Sequence, residues 1–318
     1  MSLVRRTVRS PLSVVALLLA ALLAPVPATA VDPGPAYTVP VATLKAALAC
    51  PQGLHHPDRD PVLLVHGTGQ TGEQNWGWNY LRALPAYGFD ACDVTLPAAS
   101  WDDIQTATEY VVYAVRRLHA LTGRQVDTIG HSQGTLEQRA AVRWWPDVQN
   151  IVDDEVLLSG PAHGTLSATG ICAAHLCPAA AWQMAQGSNF LKALNAGDET
   201  PGNVDVTSIY SLTDDLVQPA TTASLVGARN VLLQKLCPLR VVHHGGSLFD
   251  SLAWELTLDA LTHDGPANPA RLRAGYCSRL VMPKAVNVLA NDASVYANGV
   301  NTLAKAKFVP AEPAVRLG

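Results

Sequence analysis

Charge is scarce in this chain of 318 residues: Asp, Glu, Lys and Arg make up 15% against 48% hydrophobic residues, and nowhere do the 22 basic residues gather into a run. The first shortage, with a mean hydropathy of +0.13, excludes a disordered chain. The second, with a net charge of −4, argues against nucleic acid as a partner. Beyond the first thirty residues no apolar stretch approaches the roughly 20 residues that a membrane-spanning helix needs. No internal repeat or low-complexity linker divides the remainder. What is left is a globular chain with ample material for a core, the size of one large α/β domain.

The first thirty residues have the make-up of a secretory signal. Arg5, Arg6 and Arg9 form a positive start, Val14 to Ala24 is an unbroken apolar run, and Ala28-Thr29-Ala30 supplies small residues at a cleavage site. The context of Arg5-Arg6 fits a twin-arginine signal poorly. Cleavage after Ala30 removes three basic residues and no acid, so residues 31–318 carry −7 and are expected to form a single secreted catalytic domain, monomeric in solution. Six cysteines in an exported chain suggest up to three disulfides, with fifteen pairings open. Cys172 and Cys177 are close enough to clip one short loop. His175 lies between them, but the spacing is not a familiar zinc motif, so a disulfide is the better reading.

Strand-like and helix-like segments alternate along the chain, which predicts an α/β fold with a mostly parallel central sheet flanked by helices. Residues 61–66 form a short apolar run of the kind buried in a parallel sheet. Ile104, Ala107, Val111, Ala114, Val115, Leu118 and Leu121 recur in steps of three and four, as on the buried face of a helix. Residues 126–129 read as the next strand and 136–145 as the helix behind it. Further strands are expected at 156–158, 206–210 and 239–242, and a closing helix at 247–261. The Ala- and Gly-rich stretch 164–187 breaks the alternation and is expected to form a small cap over a site.

Gly130-His131-Ser132-Gln133-Gly134 is a G-x-S-x-G pentapeptide between a predicted strand and a predicted helix, the context of a nucleophile elbow. Its turn is so sharp that side chains at the two glycine positions would collide with neighbouring backbone. Ser132 is the predicted nucleophile, and the side chain of His131 is expected to point away from it. A serine hydroxyl needs a base oriented by a carboxylate, in the chain order Ser, acid, His. Of ten histidines, His243 and His244 are favoured because they follow a predicted strand and precede Gly245-Gly246. Asp214 and Asp215 follow the strand ending at Tyr210 and are the candidate acids. Gly67-Thr68-Gly69, after the first strand, is placed to supply an oxyanion-binding N–H beside that of Gln133.

Taken in blocks from Pro61 to Cys277, these residues resemble the Candida antarctica lipase B-like lipases, α/β-hydrolases that cleave ester bonds. The blocks are residues 64–69, 132–134, 210–219 and 244–248, of which Tyr210-Ser211-Leu212-Thr213-Asp214-Asp215-Leu216-Val217-Gln218-Pro219 is the most specific. The resemblance implies that Asp214 is the acid and His244 the base. It also implies that Thr68 and Gln133 form the oxyanion hole, with Thr68 donating through both N–H and hydroxyl. It implies the pairings Cys50–Cys92 and Cys237–Cys277, whereas Cys172–Cys177 has no counterpart in that family. His131 replaces a tryptophan, His163 an acidic residue and His243 an aspartate, so acyl and stereochemical preferences do not carry over.

The expected chemistry is acyl transfer through an acyl-enzyme, needing neither metal nor organic cofactor and failing as pH drops through roughly 6 to 7, where histidine protonates. The expected substrate is an ester or lipid, met at a lipid–water interface, with Ile171, Leu176, Trp182 and Met184 of the cap and residues 225–236 as candidate walls of an acyl site. Two alternatives stand beside the lipase reading. One is a carboxylesterase or polyester hydrolase on the same machinery. The other is a secreted binding protein that kept the fold and lost catalysis.

Overall fold

The computed structural model describes residues 32–317; the expected signal peptide lies outside the described residues. Nine strands are placed among them: β1 Leu48–Ala49, β2 Val62–Val65, β3 Ala91–Val94, β4 Val126–His131, β5 Val152–Leu158, β6 Cys177–Pro178, β7 Asp205–Tyr210, β8 Arg229–Leu232 and β9 Phe308–Val309. Seven form one sheet in the order β1-β3-β2-β4-β5-β7-β8. Only β1 is antiparallel to its neighbour; every other pair is parallel. The fold class is the expected one.

Alternation along the strands divides the interior into two cores, one on each face of the sheet. Val62 and Leu64 of β2 face one core with Ile129, Val156 and Leu158, while Leu63 and Val65 face the other with Val126 and Leu157. This is why the strands read as continuous apolar runs rather than alternating ones. Six helices matter below: α1 Ile104–Thr122, α2 Gly134–Trp144, α3 Leu166–Ile171, α4 Ala179–Met184, α5 Ser251–Ala260 and α6 Val288–Leu303. Helix α1 packs its Ala107–Val111–Val115–Leu118 face into the second core, and α5 packs into the first. Asp103 caps α1 by accepting from Gln105 N–H, and Gly123 ends it in the left-handed region.

Two expected elements differ. Residues 239–242 do not form a strand: Leu239 and Val241 face solvent, while Arg240 between them is buried in an ion pair with Asp250, Nε to Oδ2 at 2.7 Å. The edge strand is β8 instead. The helix expected over 247–261 begins later, because a 3-10 turn at Gly245–Leu248 precedes it and Asp250 caps α5 through the N–H groups of Leu252 and Ala253.

Within 164–187 lie α3, β6 and α4. β6 pairs antiparallel with β9, so a segment from residue 308 onward braces this region. Disulfides close Cys50–Cys92, Cys172–Cys177 and Cys237–Cys277. No helix among the described residues is long and apolar enough to cross a membrane.

Candidate active site

The residues singled out above lie where open parallel sheets present ligands, beyond the carboxyl ends of the strands. Ser132 follows β4 directly, has φ +56°, and leads into α2. A Cβ on Gly134 would come within 2.3 Å of Val65 O, and one on Gly130 within 2.4 Å of Gln138 Oε1 and 2.8 Å of Thr135 N. The two glycines therefore let strand, turn and helix approach one another. Thr135 locks the turn, its hydroxyl donating to Ser132 O at 2.7 Å.

Asp214 lies beyond β7 and His244 just before the 3-10 turn. Both are buried, and His244 Nδ1 donates to Asp214 at 3.0 and 3.1 Å from the two carboxylate oxygens. Asp214 also accepts from the N–H groups of Leu216 and Val217 at 2.9 and 2.8 Å. Burial alone raises its pKa, but the His244 charge and these donors hold it at about 2. Burial likewise disfavours the His244 imidazolium, and Asp214 outweighs it, so the His244 pKa lies above its ordinary value. Asp215 has a different place: it accepts from His244 N–H at 2.9 Å and from the Tyr296 hydroxyl at 3.0 Å. His243 is turned outward, toward Tyr296 and Asp292.

Thr68 and Gln133 approach each other across the site. Neither of their N–H groups donates to another group among the described residues, leaving two backbone donors free. The Thr68 hydroxyl, which the resemblance assigns to the oxyanion, donates here to Gln133 Oε1 at 2.6 Å. Gln133 Nε2 in turn donates to Glu137 Oε1 at 2.7 Å, and Glu137 Oε2 has no partner. Burial raises the Glu137 pKa to about 8. No sequence motif points to Glu137; the available signal is an acid on the buried face of α2, one turn after Gln133.

Ser132, His244, Thr68 and Gly67 line one pocket of about 270 Å³. Of the four expected cap residues, Ile171 and Met184 reach it. Leu176 is exposed elsewhere, and Trp182 packs near the Cys172–Cys177 loop, its indole donating to Val309 O. Residues 225–236 contribute no wall: Leu225 and Leu233 are spent in the two cores. The missing wall comes from α6, through Val295, Tyr296, Gly299, Val300 and Leu303. His131 also lines the pocket rather than pointing away from Ser132. Its ring packs on His244 with centroids 4.9 Å apart, and burial followed by the His244 charge lowers its pKa to about 3. A neutral imidazole thus supports the ring of His244. His163 stands outside, paired with Glu199.

A parallel sheet with a strained serine between strand and helix, and a buried Asp–His pair beyond later strands, defines the α/β-hydrolase class. Comparison with known proteins narrows this. Residues 59–244 match the family model Lipase (class 2). The chain is 32% identical over 236 residues to lipase B of Pseudozyma antarctica, covering 71% of this chain and 69% of that protein. The crystal structure of Aspergillus fumigatus lipase B superposes with a TM-score of 0.84 at 30% identity, covering 92% of this chain and 74% of that one. A Bacillus licheniformis lipase in mature form shares the fold, with a TM-score of 0.51 at 17% identity over 58% of this chain and 87% of its own. The chain belongs to the class 2 lipase family, and it is a carboxylic ester hydrolase.

Proposed function

We propose that the protein is a secreted serine lipase that hydrolyses acylglycerol esters through Ser132, His244 and Asp214. The observation that carries this reading is the buried Asp214–His244 pair, whose imidazole lines the same pocket as the strained Ser132. In this reading His244 takes the Ser132 proton as Ser132 attacks the ester carbonyl. The oxyanion forms against the free N–H groups of Thr68 and Gln133, and Asp214 stabilises the imidazolium without being protonated. The alcohol leaves with the proton held by His244. Water then repeats the sequence to release the acid. The three disulfides and the signal-like first thirty residues support secretion.

The size of the pocket favours a second reading, a carboxylesterase for short acyl chains. Its 270 Å³ falls just below the range of roughly 300–1,000 Å³ usual for small-molecule sites. Hydrolysis of tributyrin across its solubility limit, with a p-nitrophenyl ester chain-length series, separates the two. A rate that jumps when droplets form and persists with long chains is the lipase outcome; saturation below the limit is the esterase outcome. Ser132→Ala is expected to lose activity by about 10⁴-fold or more on every ester. The base works only when neutral, so kcat/KM falls on the acid side of a His244 pKa that lies above the ordinary imidazole value. Equal turnover by wild type and Ser132→Ala sinks both readings.

A further inference from the structure

The amino ends of the central strands, opposite the ester pocket, carry a second constellation that ester hydrolysis does not use. Asp60 precedes β2, Asp127 is the second residue of β4 and Asp153 the second of β5, so the parallel register brings three distant carboxylates to one end of adjoining strands. One oxygen from each lies within 4.8 Å of the others. These residues line a cleft of about 530 Å³ together with Asp58, Asp154, Asp205 and Asp264. Two arginines face this charge and both are engaged: Arg124 donates to Asp60 at 2.8 Å, and Arg59 lies over the Phe89 ring.

A cluster of acids at a solvated edge needs no ligand. Here, however, Asp127 is only 3% exposed, and its Oδ1 has no hydrogen-bond partner. Asp154 beside it is 5% exposed and also has an unpartnered Oδ1. A buried carboxylate oxygen without a donor, facing several like charges, is costly unless a cation or proton meets it.

We propose that Asp60, Asp127 and Asp153 bind one calcium ion at the amino ends of β2, β4 and β5, opposite the ester pocket, with water completing the shell. Hard carboxylate oxygens select an alkaline-earth ion. Three carboxylate oxygens within 4.8 Å of one another are close enough to share one ion, and calcium, with its flexible shell at roughly 2.4 Å, tolerates unequal ligand spacing better than magnesium, which demands a near-ideal octahedron at about 2.1 Å. Asp127, near the start of β4, and Ser132, just past its end, are five residues apart, about 16 Å of extended chain. The ion therefore ties together the beginnings of β2, β4 and β5 without touching the chemistry.

The test is calorimetric titration of EDTA-treated protein with CaCl₂, and melting in 5 mM CaCl₂, 5 mM MgCl₂ or NaCl of matched ionic strength. The expected result is a single saturable site and a Tm raised by about 3–5 °C in calcium. Both effects should disappear in Asp127→Asn and in the half-buried Asp153→Asn, while p-nitrophenyl ester turnover stays within about twofold with calcium or EDTA. That turnover reports the ester reading separately and shows that each variant is folded. Absence of binding heat with an unchanged Tm overturns the proposal, since protons alone would then neutralise the cluster. So does a rise that NaCl reproduces, and equal binding of magnesium overturns the assignment to calcium.

Discussion

A carboxyl group shut away from water, as Glu137 is, keeps its proton until about pH 8 when folded, against an ordinary value near 4.5. Between those values the folded chain holds a proton that the unfolded chain has shed. Unfolding then releases a proton, and stability falls as pH rises through that window. Glu137→Gln removes the titration while keeping a side chain able to bond Gln133. We expect Tm to drop less between pH 6 and pH 9 in Glu137→Gln than in wild type. Parallel slopes would show that other buried acids, such as Glu155 at about 7, account for the loss. At this scale the sequence is legible where chemistry needs a rare pattern. Ser132 stands in a pentapeptide whose glycines have a steric reason, and Asp214 in a block matched residue by residue. Glu137 and His131 were not legible, because their roles arise from what packs around them: Gln133 on one side, the His244 ring on the other.

Elements follow the same division. Helix α1 was readable from its apolar steps and strands β2, β4 and β7 from their runs, because burial on one face or both imposes a period. Strand 239–242 misled because Leu239 and Val241 are apolar yet exposed, while the buried member of the segment is a charged arginine satisfied by Asp250. Helix α6 was missed as a pocket wall for a different reason. It carries apolar residues, but nothing in their spacing says that they face a substrate rather than a core. Val300 on α6, with Ile171 and Leu216, is both exposed and pocket-lining, which gives the mouth an apolar rim. Val300→Asp is expected to lower the rate on emulsified tributyrin by about tenfold, since losing the burial of one valine costs roughly 1.5 kcal/mol. Turnover of dissolved p-nitrophenyl acetate should stay within about twofold. An equal fall on both substrates would mean that Val300 shapes the pocket rather than its contact with lipid.

Across the whole molecule the three disulfides do unequal work. Cys50–Cys92 and Cys237–Cys277 join residues 42 and 40 apart, and Cys172–Cys177 residues 5 apart. Loop-closure entropy assigns about 4 kcal/mol to each long bridge and about 2 kcal/mol to the short one. The Cys50→Ala/Cys92→Ala pair should therefore lower Tm about twice as far as Cys172→Ala/Cys177→Ala; equal shifts in thermal melts would place the effect in native-state packing instead. Two of these pairings were legible through resemblance and one through proximity in sequence, whereas the meeting of Asp60, Asp127 and Asp153 depends on strand register and no spacing reveals it. The bracing of residues 177–178 by β9, and the wall supplied by α6, set an order on biosynthesis. The proposed nucleophile, acid and base are all synthesised by residue 244, but the pocket gains its α6 wall only with residues 295–303, and β6 its partner strand only with residues 308–309. A chain that ends between these points holds the proposed catalytic residues with one side of its chamber open, so selectivity for the acyl group is acquired last, after reactivity.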